Sequence, residues 1–287
     1  MSPLVEVGLP LIIVYAMTVV GLELTPADLK RVLHYPAHVA VALLGQVLLL
    51  PLLGVALILV LRPEPAVTGG LVLIAAAPQA IISNYYCLLA RANIALALTL
   101  TAVSSVLALV STPIAVQIAF SLLLERQAGF SLPADKVMEQ VVIGLLLPIA
   151  AGMLVRHFAP GFVERQRVRF QRLSLLSLAA LIAIVLVDQG GTIARNLLPI
   201  VVAGLLFTAG ALVLGLAIAR AFAWSRIDTV TMAAAYPSRS LSIATLIAVN
   251  VLGRPDFLSF AVVFFLVQAV LLVPAMMLSR PLRAAGS

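Results

Sequence analysis

Apolar residues in this chain neither alternate nor keep to one face of a helix; they run on in blocks of about 20, separated by short polar gaps. A block of about 20 apolar residues, rising 1.5 Å per residue, matches the hydrocarbon thickness of a bilayer. The pattern predicts nine spans, at residues 4–22, 37–61, 66–90, 94–120, 137–155, 173–187, 197–219, 229–251 and 257–278. Two of them carry polar groups in their middles. Ala77-Pro78-Gln79-Ala80-Ile81-Ile82-Ser83-Asn84 interrupts the third, and Ala233-Ala234-Ala235-Tyr236-Pro237-Ser238-Arg239-Ser240 interrupts the eighth. A helix in hydrocarbon breaks only where protein or a water-filled cavity satisfies the freed backbone groups. Each segment is therefore expected to be a broken helix. Pro10, Pro51, Pro113, Pro148, Pro199 and Pro274 also lie in or near spans, and ordinary kinks are expected there.

Composition agrees with the pattern. Hydrophobic residues make up 63% of the chain and charged ones 10%, where a soluble domain has about a quarter charged. The chain reads as an all-α polytopic membrane protein. A net charge of +7 in a soluble protein would point to nucleic acid, but here the basic residues sit in gaps between spans, where they set orientation. The expected environment is the lipid bilayer, with no nucleic-acid partner. Of the 18 Lys and Arg, five (Arg62, Arg126, Lys136, Arg195 and Arg254) fall in one set of gaps and Arg239 falls inside a span. The other twelve fall in the alternate gaps and the tail. That bias puts the N-terminus outside and the C-terminus in the cytoplasm. The third span then runs inward and the eighth outward. Spans one to four pair with six to nine in opposite sense, the pattern of an inverted repeat. The first apolar run has no basic n-region or cleavage site and is expected to be a retained span. Arg outnumbers Lys 16 to 2, a GC-rich bias that points to a bacterial inner membrane. No soluble-length insert divides residues 1–287, so one membrane domain is expected.

Four groups of residues carry candidate chemistry. Gln79, Ser83 and Asn84 follow Pro78, and Thr99, Thr101, Ser104 and Ser105 lie on the next span, with Thr101 expected near Asn84 across the turn at Arg91. Such groups offer oxygens to a cation or donors to an anion, or they hydrogen-bond one helix to another. Arg239 lies about ten residues, roughly 15 Å, from either end of its span, too deep to snorkel. A charge at that depth faces a bundle interior or an aqueous cavity. A structural partner would have to be a buried carboxylate, and Glu6 and Asp188 both fall near the outer surface. Gln46 and Gln268 are polar groups at membrane depth, serving either a site or helix packing. Arg165, Arg167, Arg169 and Arg172 form a basic gap suited to anionic lipid. No nucleophile and base, phosphate loop or metal-ligand spacing is present, and Cys87 is the single cysteine. Enzymatic activity, a cofactor and a resident metal are not expected.

These residues resemble the bile acid:sodium symporters. The resemblance is carried by Gly21-Leu22-Glu23-Leu24-Thr25, Asp28-Leu29-Lys30 and Pro36, by Gln46 with Pro51-Leu52, and by Pro78 through Ser83-Asn84 on to Leu89-Ala90-Arg91-Ala92-Asn93. Thr101, Ser104 and Thr112-Pro113 extend it. It implies the nine-span form of that fold, with two broken helices crossing inside a core bundle (66–120 and 197–278) and a panel bundle (4–22, 37–61, 137–155 and 173–187). It implies secondary transport, by alternating access, of an organic anion: bile acid-like, a steroid conjugate or a small carboxylate. It also implies two sodium ions behind the crossover, with Ser83, Asn84 and Thr101 matching one site and Gln46 the other. The eighth span departs from the family's Glu-x-Gly-x-Gln-Asn, reading Ala233-Ala234-Ala235-Tyr236-Pro237-Ser238. A carboxylate is lost and Arg239 is gained, so two sodium ions there become electrostatically unfavourable.

Arg239 either occupies a sodium position as a tethered cation or pairs with the substrate carboxylate, and it is expected opposite Asn84. The substrate is expected at the amino ends of the half-helices after Pro78 and Pro237, with Gln79, Ser238, Arg239 and Gln268 as contacts. The leading expectation is an organic-anion transporter with reduced or absent sodium coupling. Full sodium coupling is the alternative within that class, and a channel or sensor on the same fold is the alternative outside it.

Overall fold

The structure is a computed structural model that describes residues 8–23, 36–123 and 146–279. Backbone N–H and C=O groups in hydrocarbon have no water to bond, so apolar runs of this length close their own ladders as helices. Among the described residues every regular element is helical. The helices are α1 (Leu9–Glu23), α2 (Pro36–Leu61), α3 (Pro65–Ala76), α4 (Ile82–Ala90), α5 (Ile94–Leu123) and α6 (Leu147–Phe158). They continue with α7 (Pro160–Asp188), α8 (Gly190–Ala221), α9 (Arg226–Ala235), α10 (Leu241–Leu246) and α11 (Leu258–Leu278). Among the described residues five segments are long and apolar enough to cross a membrane: Pro36–Leu61, Ile94–Leu123, Val168–Asp188, Gly190–Ala221 and Pro255–Leu278.

Both suspected breaks are present. The predicted third span divides into α3 and α4, and the predicted eighth into α9 and α10, the latter continued by a wider π turn over Ile247–Val251. The second halves begin at Ile82 and Leu241, each four residues beyond its proline. Proline pushes the residue before it out of the helical region, and Ala77 is accordingly extended (φ −63°, ψ 150°). By contrast Pro51, Pro113 and Pro274 lie within continuous helices. In α8 the kink falls at Asn196 (φ −110°, ψ 15°), three residues before Pro199. The Asn196 amide donates to the Glu64 carboxylate at 3.0 Å and to Thr192 O at 3.2 Å.

One expectation changes. Residues 156–172 are not a gap: α6 ends at Phe158 and α7 starts at Pro160, with proline at the first helical position where its missing N–H costs nothing. Arg165, Arg169 and Arg172 are exposed along a helix that continues into the span, because a run of arginines is no obstacle to helix formation. The helix α2 packs on α3, α5 and α8, and α1 packs on α6 and α7. The sequence positions 4–7, 24–35, 124–145 and 280–287, with Glu6, Thr25, Asp28, Lys30, Arg126 and Lys136, lie outside the described residues.

Small residues set the closest crossings, as is usual where lipid supplies no hydrophobic drive. Gly45 on α2 faces Tyr236, whose hydroxyl donates to Ala42 O at 2.9 Å. Tyr236→Phe removes one buried hydrogen bond worth about 1 kcal/mol. A melting temperature lower by ~2–4 °C is expected in detergent, read by intrinsic fluorescence.

Candidate functional site

The two extended breaks cross in antiparallel sense. Gln79 and Arg239 form an isolated bridge, with Ala80 N donating to Ser238 O at 2.8 Å and Ser240 N to Pro78 O at 2.9 Å. The freed carbonyls at the end of α3 are satisfied from outside their helix. Thr112 Oγ1 donates to Ala76 O at 2.9 Å, and Arg239 Nη2 donates to Ala77 O. A cation at a helix C-terminus also meets the negative end of the helix dipole. At one end of the broken pair Asn93 ties the turn after α4 to α9, through its amide to Asp228 Oδ1 (2.8 Å) and its N–H to Thr231 Oγ1 (2.9 Å).

Arg239 is 3% exposed. Among the described residues its Nε and Nη1 have no hydrogen-bond partner. It lines two cavities. The larger, about 150 Å³, lies where α1 and α7 face the crossover, and Gln79, Ser105, Ser174, Ser240 and Ser242 also line it. Met17, Val20, Leu178 and Phe265 give it apolar walls. The smaller, about 20 Å³, lies on the other side, between α2 and α5, with Gln46, Pro78, Ser104 and Ser111. A space that size admits one water-sized occupant. Gln46 Oε1 is another buried atom without a partner there.

The suspected cation residues do assemble. Thr101 Oγ1 stands 3.4 Å from Asn84 Oδ1. Gln79 joins them: its Nε2 lies 2.8 Å from Ser83 Oγ, 3.0 Å from Thr101 Oγ1 and 3.3 Å from Ala97 O. Gln46 Nε2 donates to Gln79 Oε1 at 3.1 Å. Other expected contacts turn away. Ser238 Oγ donates back to Ala234 O at 2.6 Å, which satisfies the end of α9. Pro237 and the fully buried Gln268 line neither cavity. Arg239 faces Gln79 across the crossing, not Asn84, because the antiparallel bridge pairs those two positions and Asn84 lies beyond the break, in the first turn of α4.

Residues 10–196, about two thirds of the chain, match the Sodium Bile acid symporter family. The chain belongs to the sodium bile acid symporter family. The match contains Gln46, Gln79, Ser83, Asn84 and Thr101 and stops short of Arg239 and Gln268. The divergent segment at residues 233–240 thus falls outside the matched part. Similar curated proteins include the rice protein named probable sodium/metabolite cotransporter BASS2, chloroplastic. It is 31% identical over 152 residues, covering 53% of this chain and 35% of that protein. Another is the Bacillus subtilis protein named uncharacterized sodium-dependent transporter YocS, 27% identical over 165 residues, 58% of this chain and 49% of that one. Rice BASS1, also named a probable sodium/metabolite cotransporter, is 31% identical over 196 residues, 67% of this chain and 44% of its own. The chain matches between about a third and half of the length of these relatives.

Within this member of the sodium bile acid symporter family, three things escaped the sequence. Of the serines of the larger cavity, Ser105 and Ser240 lie in stretches already singled out, but Ser174 and Ser242 come from α7 and α10, too scattered to form a motif. The Tyr236 anchor depends on Gly45, distant in sequence. The Gln79 side chain enters the oxygen cluster instead of standing free for a ligand, although its position after Pro78 did mark it as polar at depth.

Proposed function

We propose that the chain is a secondary transporter of small organic anions that works by alternating access with reduced or absent sodium coupling. The observation that carries this reading is Arg239: a buried guanidinium with two unpartnered nitrogens at the edge of the larger cavity. A guanidinium in that state binds a carboxylate through two parallel charge-assisted hydrogen bonds. The volume favours the small end of the family's substrate range. A cavity of about 150 Å³ compares with one that admits benzene, too little for a steroid. Serine hydroxyls beside apolar walls suit a short carboxylate that also carries a hydroxyl or keto group.

The architecture proposed with this function has nine spans in an inverted repeat, in a bacterial inner membrane with its N-terminus outside. The core bundle holds residues 66–120 and 197–278, and 37–61 is drawn into it because α2 packs on α3, α5 and α8. The panel is then 4–22, 137–155 and 173–187, whose α1 and α7 meet the crossover at the larger cavity. Alternating access is movement of that panel against the core.

The rival within the class is full sodium coupling, favoured by the oxygen cluster at Ser83, Asn84 and Thr101 and by the names of the similar proteins. A thermal-shift series of organic acids of rising size, run in sodium and in potassium, separates the readings. Short monocarboxylates are expected to raise the melting temperature equally in both salts, and steroid conjugates to leave it unchanged. Stabilisation by anion only in sodium would favour the rival. Saturable flux separates either carrier from a channel.

A further inference from the structure

The Gln79 carboxamide has a fixed orientation. Ala97 O is an acceptor only, so the nitrogen and not the oxygen faces it at 3.3 Å. Its own oxygen accepts from Gln46. The hydroxyls around the nitrogen have spent their hydrogens elsewhere: Ser83 Oγ donates to Ala80 O at 2.8 Å and Thr101 Oγ1 to Ala97 O at 2.9 Å. Both therefore turn lone pairs toward Gln79 Nε2. Two amide hydrogens meet three oxygens within 3.3 Å, and Asn84 Oδ1 adds a fourth at the rim. Ser83 is fully buried and Gln79 is 2% exposed.

An all-oxygen shell of hydroxyls and carbonyls, with no thiol or imidazole, suits a hard cation. Among the described residues no carboxylate joins it, so its neutral oxygens fit a single positive charge rather than two. Sodium, close to calcium in radius, takes oxygens at about 2.4 Å. The three oxygens are within about 1 Å of that distance from one centre. We propose that they form a monovalent-cation cage which the Gln79 carboxamide plugs. The amide's two partially positive hydrogens stand where an ion would, so the protein as it exists takes up no sodium at this point, and removing the plug creates a sodium site. The proposal rests on the reading of lowered sodium coupling and gives it a residue.

The test uses purified full-length protein in detergent, in sodium, potassium or choline chloride of equal ionic strength. Wild type is expected to melt at the same temperature in sodium and choline. Gln79→Ala is expected to gain ~2–4 °C in sodium once sodium exceeds its Kd about tenfold, and to bind radioactive sodium saturably. Adding Ser83→Ala or Thr101→Ala removes the gain. Gln79→Glu keeps the shape and puts a carboxylate against the same oxygens. It is expected to be unstable in choline and rescued by sodium, so the idea stays testable if the alanine variant does not fold. Two results would overturn it: a folded Gln79→Ala or Gln79→Glu indifferent to sodium, or a wild type that binds sodium as tightly as the variants. Neither readout involves an organic anion, so failure here leaves the Arg239 reading standing, and the reverse also holds.

Discussion

Arg239→Ala is expected to lose small-carboxylate binding by about 100-fold or more and to abolish saturable uptake. Each charge-assisted hydrogen bond contributes about 1.5–3 kcal/mol, and a guanidinium forms two with one carboxylate. Loss of even the smaller pair of terms is about 3 kcal/mol, close to two orders of magnitude in affinity. Arg239→Lys keeps the charge but loses the planar fork, so an intermediate loss of roughly tenfold is expected, about 1.4 kcal/mol. Folding should survive. The substitution leaves Ala77 O without its partner but also removes an uncompensated buried charge, whose desolvation opposes folding. Isothermal titration with a short monocarboxylate, alongside size-exclusion chromatography, reads both effects. Unchanged anion affinity in Arg239→Ala would remove Arg239 from the substrate site.

Gly152→Val is expected to detach α1 from α6. A Cβ on Gly152 would stand 2.1 Å from Thr18 O and 2.8 Å from Leu22 N, and one on Gly21 would stand 2.1 Å from Ile149 O. The obstructing atoms are backbone, which no rotamer change can move, so the helices must separate. Overpacking of this kind costs about 3 kcal/mol or more, a fall of roughly 10 °C in melting temperature for a domain of this size. Gly161→Ala is the control. No atom of the described residues lies within 4 Å of its Cβ position on α7, and alanine there should be neutral or slightly stabilising. Equal melting temperatures for Gly152→Val and Gly161→Ala would contradict the close crossing.

Much of the scaffold could be read from run lengths alone, since about 20 apolar residues leave a backbone few options in lipid. The breaks at Pro78 and Pro237 were legible because polar groups accompany the prolines. Pro51 and Pro274 lack that company and stay inside helices, whereas Pro113 has Ser111, Thr112 and Gln117 around it and is helical all the same, so polar company alone does not decide a break. Side-chain direction was not legible. These helices are apolar on all sides, so periodicity gives no inner face, and nothing in the sequence says that Ser238 turns back to Ala234 or that Gln79 enters the oxygen cluster. The helical arginine segment was missed for a related reason. Hydropathy marks where lipid ends, not where a helix does, and α7 passes from one to the other without a break.

The oxygen cluster around Gln79 and the Arg239 guanidinium lie at the same crossover, so one flux measurement bears on both readings. Full-length protein is reconstituted into proteoliposomes, and counterflow of a labelled short hydroxy or keto monocarboxylate is followed with sodium or choline on both sides. Saturable counterflow that differs by less than about twofold (~0.4 kcal/mol) between the salts, and is absent in Arg239→Ala, is the expected result. Counterflow that vanishes in choline, or that persists in Arg239→Ala, would contradict it.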